Sequence, residues 1–396
     1  MGSRDKNVNL SRGAYSVFLF GYTLYSFVYV CRYNFTVSAP LFQSAGLITL
    51  SEYGKILSAF SVVYAVGRLV NGILGDRLPA KYLLSVGIGL TGLSNFLFVL
   101  FPSFFPMLVF WSVNGFAQSM IWGPLLVAVT SRFCEEKRGS VGAMLVTAVG
   151  TGSVIGVLIA AFLSEISLKL VFIIPAAISI ALGAAAFFVF GKSEPTRKAP
   201  SKSVLKNINR GELANMLCMS AIYGIVKDNS AYFAPAFFIS AYAVNIKEMS
   251  FFVLIIPVLT LAGRLLFPFV YRISGNNEFK TSAYAYFAAT VCALLLMIPG
   301  APIAVTAAAL SVISAACSVI GTALLSSYPM RYSAEGNVSS VSGLADFAAY
   351  AGAGLGSSVF AAVISRFGYS PVFCAFAVLS VVGALLSYML KKRFEH

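Results

Sequence analysis

The sequence predicts an all-α integral membrane protein, with twelve transmembrane helices arranged as two pseudo-symmetric six-helix bundles. Three observations predict it. Composition comes first: of 396 residues, 59% are hydrophobic and 11% charged, under half the roughly one-quarter charged share of a soluble domain. Second, apolar runs of about 20 residues, the length that crosses a bilayer core, recur twelve times. Third, a short motif repeats at nearly half the chain length. The other spanning architecture, a β-barrel, would show alternating strands of about ten residues instead of these long runs.

The expected spans are bounded by short polar or Pro/Gly-containing breaks. In the first half they run 14–41, 51–75, 82–100, 105–131, 140–163 and 170–190. In the second they run 212–239, 249–272, 281–299, 303–328, 339–364 and 370–390. Between the sets lies KSEPTRKAPSKSVLKNINR, whose Lys, Arg, Ser and Pro mark a linker. The expected domains are therefore 1–191, an amino-terminal bundle; 192–210, a cytoplasmic linker; and 211–396, a carboxy-terminal bundle with a short cytoplasmic tail. The first apolar run is too long for a cleavable signal peptide and lacks a small-residue cleavage site.

The formal net charge of +14 reads as topology. The amino-terminal tail, the turns with Arg77, Lys81, Arg132, Lys137 and Arg138, the linker and Lys391–Arg393 fall on one side; only Lys55, Lys169, Lys247 and Arg366 fall on the other. The positive-inside rule then places both termini in the cytoplasm of a cell (inner or plasma) membrane protein, and nucleic acid is not an expected partner. The six cysteines form no C-x-x-C pair and read as reduced packing residues. The lone histidine is His396, so no histidine metal site is expected. No intramembrane Ser/His, Glu/His or metal-ligand set points to an enzyme, and no cofactor is expected.

AVGRLVNGILGDR from Ala65 and LAGRLLFPFVYR from Leu261 align Gly67-Arg68-Leu69 with Gly263-Arg264-Leu265, at an offset of 196 residues. Two six-helix repeats related by an axis along the membrane normal resemble the major facilitator superfamily, in which substrate binds between the halves near the midplane. GILGDRLPAK resembles that superfamily's cytoplasmic signature, with Gly72 for close helix approach and Asp76 and Arg77 as a charge lock. The second copy has Arg272 where the first has its acid. Gly72, Asp76, Arg77, Arg68 and Arg264 are the expected gating residues, the two span arginines lying within snorkelling reach of their helix ends.

Inside the expected spans stand Arg32, Arg68, Lys227, Arg264, Asp228 and Asp346, each costing about 2.5–3.5 kcal/mol at a helix centre on insertion scales. Arg32 lies on a polar stripe with Tyr25, Tyr29 and Thr36 at helical spacing. The repeat offset carries Arg32 onto Asp228, beside Lys227, so the first helix of each half holds a cation at one depth. Together they would grip an anion, the guanidinium as a planar fork and the ammonium as a point charge. The competing reading pairs Arg32 with Asp228 or Asp346 and Lys227 with the other acid. Asp346, on a stripe with Ser342 and Tyr350, reads as either a coupling group or a charge partner. Tyr223, one turn before Lys227, joins the expected site.

Asn114, Gln118 and Trp122, four residues apart, form one hydrogen-bonding face, read either as site or as packing through amides. The glycine runs GTGSVIG from Gly150 and GAGLG from Gly352 follow no strand and read as close helix packing, not nucleotide loops.

Several stretches resemble the organophosphate:phosphate antiporter family, which contains glycerol phosphate and hexose phosphate carriers. GYTLYSFVYVCRYNFTVSAP is similar to its first helix at Arg32, Asn34 and Phe35. NGFAQSMIWGP with EEKRG is similar to its fourth helix and following loop at Gly115, Gln118, Trp122, Pro124, Arg138 and Gly139. GLADFAAYAGAG is similar to its eleventh at Gly343, Tyr350 and Gly352. The chain departs from it at Ile222, where many members carry a second arginine that Lys227 would replace, and at Val149, where some carry a histidine.

The resemblance implies a secondary transporter that exchanges a phosphorylated metabolite for inorganic phosphate by alternating access. Its partners would be that small anion, phosphate and the lipid bilayer, and it would act as a monomer. The expected substrate-binding residues are Arg32, Lys227, Tyr29, Tyr25, Gln118, Trp122, Tyr223 and Tyr350, with Asp228 and Asp346 in coupling or charge pairing. The alternatives are proton-coupled carriage of an organic anion such as a carboxylate, and a transport-inactive sugar phosphate sensor.

Overall fold

The computed structural model describes residues 2–191, 210–332 and 338–394; the linker, apart from Arg210, lies outside them. Fourteen α-helices run in the order α1 (Gly2–Ser44), α2 (Leu50–Arg77), α3 (Ala80–Leu100), α4 (Phe104–Ser119), α5 (Trp122–Thr130), α6 (Glu135–Val146), α7 (Ala148–Ile166) and α8 (Leu170–Val189). They continue as α9 (Arg210–Tyr242), α10 (Ile246–Ile273), α11 (Glu278–Leu295), α12 (Ile303–Thr322), α13 (Val338–Phe367) and α14 (Ser370–Phe394). Helices α4 with α5, and α6 with α7, are single interrupted rods, so the helical rods number twelve among the described residues.

Proline explains the first interruption. Pro124 has no N–H for the carbonyl of Met120, and its ring would crowd that group; the rod breaks at Met120–Ile121. A second proline shapes the end of α12, where the chain passes into a π-helical turn (Ala323–Ser327) and a 3₁₀ turn (Tyr328–Tyr332). Pro329 cannot serve the carbonyl of Leu325 four residues back, and the Ser342 hydroxyl of α13 donates to it instead, at 2.6 Å. Ser342 is thus a backbone cap.

Ten rods are long and apolar enough to cross a membrane by composition alone. The two that miss this criterion are α9, which carries Glu212, Lys227 and Asp228, and α11, which is short and begins with Glu278 and Lys280.

The chain divides into two compact units: Met1–Phe35 with Val66–Lys198, and Thr36–Ala65 with Ala199–His396. In the first unit α1 lies directly on α7, because a methyl on Gly152 would overlap the carbonyl of Ser26. Helix α3 packs on α8, and Phe35, Phe98, Trp111 and Phe172 interlock in an aromatic core with neighbouring ring centroids 4.7–5.2 Å apart.

The second unit repeats the plan: α9 lies on α13, where a methyl on Gly224 would overlap the carbonyl of Ala349, and α11 packs on α14. The segment 36–65 is held within this unit by Tyr53, whose hydroxyl donates to the Tyr232 carbonyl at 3.0 Å, and by Ser58, which donates to the Gly354 carbonyl at 2.6 Å. The internal repeat is visible in packing. Gly67 abuts Ser119 in one unit and Gly263 abuts Ala315 in the other, and both members of the pair are displaced by the same 196 residues. The glycine runs at Gly150 and Gly352 pack helices, as expected.

Two expectations need correction. Gly72 is exposed, and a methyl there would meet nothing within 4 Å; close approach in this helix falls at Gly54 and, about one and a half turns before Gly72, at Gly67. Among the cysteines, Cys31 and Cys317 are buried packing residues, whereas Cys134, Cys218 and Cys374 are exposed.

Gly224→Val should lower the thermal midpoint of the purified protein, with a cost of at least about 1–3 kcal/mol from overpacking, while Gly72→Ala should be neutral or mildly stabilising. Ser342→Ala should cost about 1–3 kcal/mol by leaving the Leu325 carbonyl unsatisfied. Thermal unfolding in one detergent compares all three.

Candidate functional site

In the first unit Arg32, 7% exposed, is buried in the carboxy-terminal third of α1. Its Nε donates to Gln118 Oε1 at 2.9 Å, and its guanidinium lies 4.9 Å from the Tyr29 ring centroid. Tyr29 meets Tyr25 edge-on at 5.5 Å, and Tyr25 lies against Trp122 at 4.8 Å. Asn114, Gln118 and Trp122 therefore all turn toward α1, although the break at Met120 separates the indole from the amides. Gln118 Nε2 donates to Asn114 Oδ1 at 3.0 Å and to the Val28 carbonyl at 3.3 Å, and Asn114 Nδ2 donates to the Cys31 carbonyl at 3.3 Å.

Beside this cluster Asn34 donates to Asn95 at 2.8 Å, and Asn95 to the carbonyls of Thr91 and Cys31 at 2.9 and 3.3 Å. Arg32, Asn34, Asn95, Asn114 and Gln118 are thus paired with one another or with backbone carbonyls. Each unmet partner would cost several kcal/mol in an apolar surround.

In the second unit Lys227 Nζ stands 3.0 Å from Asp228 Oδ1, with side-chain exposures of 31% and 12%. Of the pairings open from sequence, Lys227 with Asp228 forms here. The ammonium also lies 5.3 Å from the Tyr223 ring and 5.5 Å from the Tyr350 ring, so it has aromatic faces on two sides. Tyr350 is in turn packed on Tyr64, with centroids 4.2 Å apart. Gly321 leaves room for the Tyr223 hydroxyl, which stands 2.5 Å from where a methyl would be.

Of the remaining expected residues, Thr36 is buried, and Asp346, Arg68 and Arg264 are half-buried. The side chains of Asp76 and Arg77 lie outside the described residues.

One charged cluster was not expected. Glu278, at the start of α11 and 4% exposed, pairs with Arg331 and accepts from Tyr271 at 3.2 Å and Ser327 at 3.3 Å. Glu212, at the start of α9, accepts from Tyr328 at 2.6 Å. The second half therefore does hold a buried acid near the end of its second helix, six residues beyond the Arg272 that replaces Asp76 in the alignment. The available sequence signal was Asn277 before Glu278, a helix start whose side chain caps the backbone at Phe279 and Lys280. Tyr64 was also missed, being one aromatic among many.

The Major Facilitator Superfamily model matches residues 18–357. The membrane sensor protein UhpC of Escherichia coli (strain K12) is 31% identical over 130 residues, which is 32% of this chain and 29% of that protein. A probable hexose phosphate transport protein of Chlamydia trachomatis is 29% identical over 126 residues, 32% and 27% of the two chains. The glucose-6-phosphate exchanger SLC37A2 of Mus musculus is 32% identical over 146 residues, 34% and 28%. The alignments thus span under a third of these relatives' own lengths.

Among solved structures, a bacterial homolog of the human lysosomal transporter Spinster, inward-facing and unoccupied, superposes with a TM-score of 0.72 at 16% identity, covering 96% of this chain and 98% of that one. The nucleoside transporter NupG gives 0.72 at 14% identity, covering 95% and 99%. Twelve helical rods, a 196-residue repeat visible in both sequence and packing, and a family match over most of its length place this chain in the Major Facilitator Superfamily.

Proposed function

We propose that this protein is a secondary active transporter of a small organic anion, a phosphorylated metabolite exchanged for inorganic phosphate by alternating access. The observation that carries this reading is a cation inside a helical span of each unit, set among tyrosines: buried Arg32 with Tyr29, and half-buried Lys227 with Tyr223 and Tyr350. Burying a cation in an apolar span is costly, and a ligand that uses its charge gives the cost a function.

Arg32 offers the phosphoryl group directional N–H donors and Lys227 a point charge. Tyr25, Tyr29, Trp122, Tyr223 and Tyr350 provide aromatic surface for the rest of the metabolite. Asp228 holds Lys227 in the empty protein and yields it to the substrate, with Asp346 a second acid on the same face of α13. The relatives named for hexose phosphate and glucose 6-phosphate support the substrate class. The protein acts as a monomer in the cell membrane, with both termini cytoplasmic as the basic residues indicate.

Reconstituted protein loaded with phosphate should take up labelled glucose 6-phosphate or glycerol 3-phosphate without a pH gradient. Arg32→Gln and Lys227→Gln should each reduce this counterflow about 10- to 100-fold, the worth of a charge-assisted hydrogen bond. Uptake that requires a proton gradient would favour the proton-coupled alternative. Binding without uptake would favour the sensor reading, which the likeness to UhpC also supports.

The Lys227–Asp228 pair makes a separate prediction. Lys227→Gln should destabilise the protein by about 1–3 kcal/mol by stranding a buried carboxylate, and adding Asp228→Asn should restore stability without restoring transport. Thermal midpoints and counterflow measured on the same preparations separate the two effects.

A further inference from the structure

The sequence places Gln118 among the substrate-binding residues, but its hydrogen bonds point to another role. A primary amide has distinct ends, one accepting and one donating, and it can turn over unless its neighbours forbid it. Here the neighbours forbid it in sequence. The Cys31 carbonyl can only accept, so Asn114 turns its nitrogen toward it at 3.3 Å. Asn114 Oδ1 is thereby presented to Gln118, whose Nε2 donates to it at 3.0 Å and to the acceptor-only Val28 carbonyl at 3.3 Å. Gln118 Oε1 is left facing Arg32 Nε, which donates to it at 2.9 Å. All three polar side chains are at least nine-tenths buried: Arg32 7%, Asn114 0% and Gln118 1% exposed.

The relay starts and ends on α1. Its anchors, Val28 and Cys31, lie four residues and one residue before Arg32, so the helix that carries the guanidinium also determines, through α4, the plane in which it sits. Because the group at Nε is an amide, it fixes orientation without adding a negative charge to the site.

We propose that Asn114 and Gln118 are positioning residues that orient Arg32 toward a phosphoryl group, acting through the guanidinium and not by touching the substrate. This rests on the reading of Arg32 as an anion ligand. Reversal of Gln118 would set a donor against Arg32 Nε, reversal of Asn114 would set an acceptor against the Cys31 carbonyl, and a carboxylate at 118 would keep an acceptor at Nε while neutralising the guanidinium.

The test uses the full-length purified protein and two probes, inorganic phosphate and glucose 6-phosphate, with dissociation constants and the ligand-free thermal midpoint measured for each variant. Gln118→Glu, which is isosteric, should weaken both probes at least about tenfold, the scale of a lost charge-assisted contact; the new ion pair with Arg32 offsets the lost Nε2 donor to Asn114 Oδ1 and the Val28 carbonyl, so the affinity loss should exceed any change in the ligand-free midpoint. Asn114→Ala should weaken both about tenfold by releasing the Gln118 amide, and Arg32→Gln should abolish binding.

If Arg32→Gln abolishes binding while Gln118→Glu and Asn114→Ala bind as the wild type does, the positioning role is overturned and the anion reading stands. Affinity losses that only follow losses of ligand-free stability in both variants overturn it as well. A wild type that binds neither probe overturns the anion reading and this inference with it. Should Asn114→Ala fail to fold, Gln118→Glu decides alone.

Discussion

A cation inside an apolar helix is the constraint around which this molecule is organised. Arg32 cannot deprotonate as a lysine might, so the protein must solvate it with its own groups. It does so with an aromatic face and an amide, Tyr29 and Gln118, and the amide then needs partners of its own. That need accounts for Asn114 and for the Val28 and Cys31 carbonyls that the two amides meet on α1. The second unit meets the same constraint differently. Lys227 takes a carboxylate from the adjacent residue and two tyrosine faces.

The repeat supports this contrast. Gly67 with Ser119 and Gly263 with Ala315 show that the two halves keep the same helix-to-helix contact at the same offset, so the scaffold is duplicated while the charge chemistry has diverged. Where the first half aligns Arg32, the second has Asp228 with Lys227 beside it. At the other end of the helices, Asp76 aligns with Arg272 while a buried Glu278 pairs with Arg331 instead. Conserved packing with divergent polar groups is the expected pattern when the fold supplies rigidity and a few side chains supply selectivity.

Much of this was legible in the chain because the membrane imposes strong rules. Twelve apolar runs, the one-sided distribution of Lys and Arg, and the four-residue spacing of Asn114, Gln118 and Trp122 all follow from local physics. Other features depend on which face a neighbour covers, which sequence does not state. Gly72 read as a packing glycine, yet close approach in its helix falls at Gly54 and Gly67. Ser342 read as part of a polar stripe, yet Pro329, thirteen residues earlier, leaves the carbonyl it caps. The grouping of residues 36–65 with the second unit rests on Tyr53, Ser58 and their distant backbone acceptors. The Glu278–Arg331 pair joins residues 53 apart, and nothing near either one in sequence announces the other.

The claim that organises the rest is that Arg32 is a solvated, charged anion ligand and not a fully consumed structural cation. Titrating inorganic phosphate into protein labelled at arginine with nitrogen-15, and following the Nε signal that disappears in Arg32→Lys, tests it directly. The account predicts a saturable shift of that signal with phosphate, matching the binding isotherm measured independently. A signal that stays fixed while phosphate saturates the protein would contradict it.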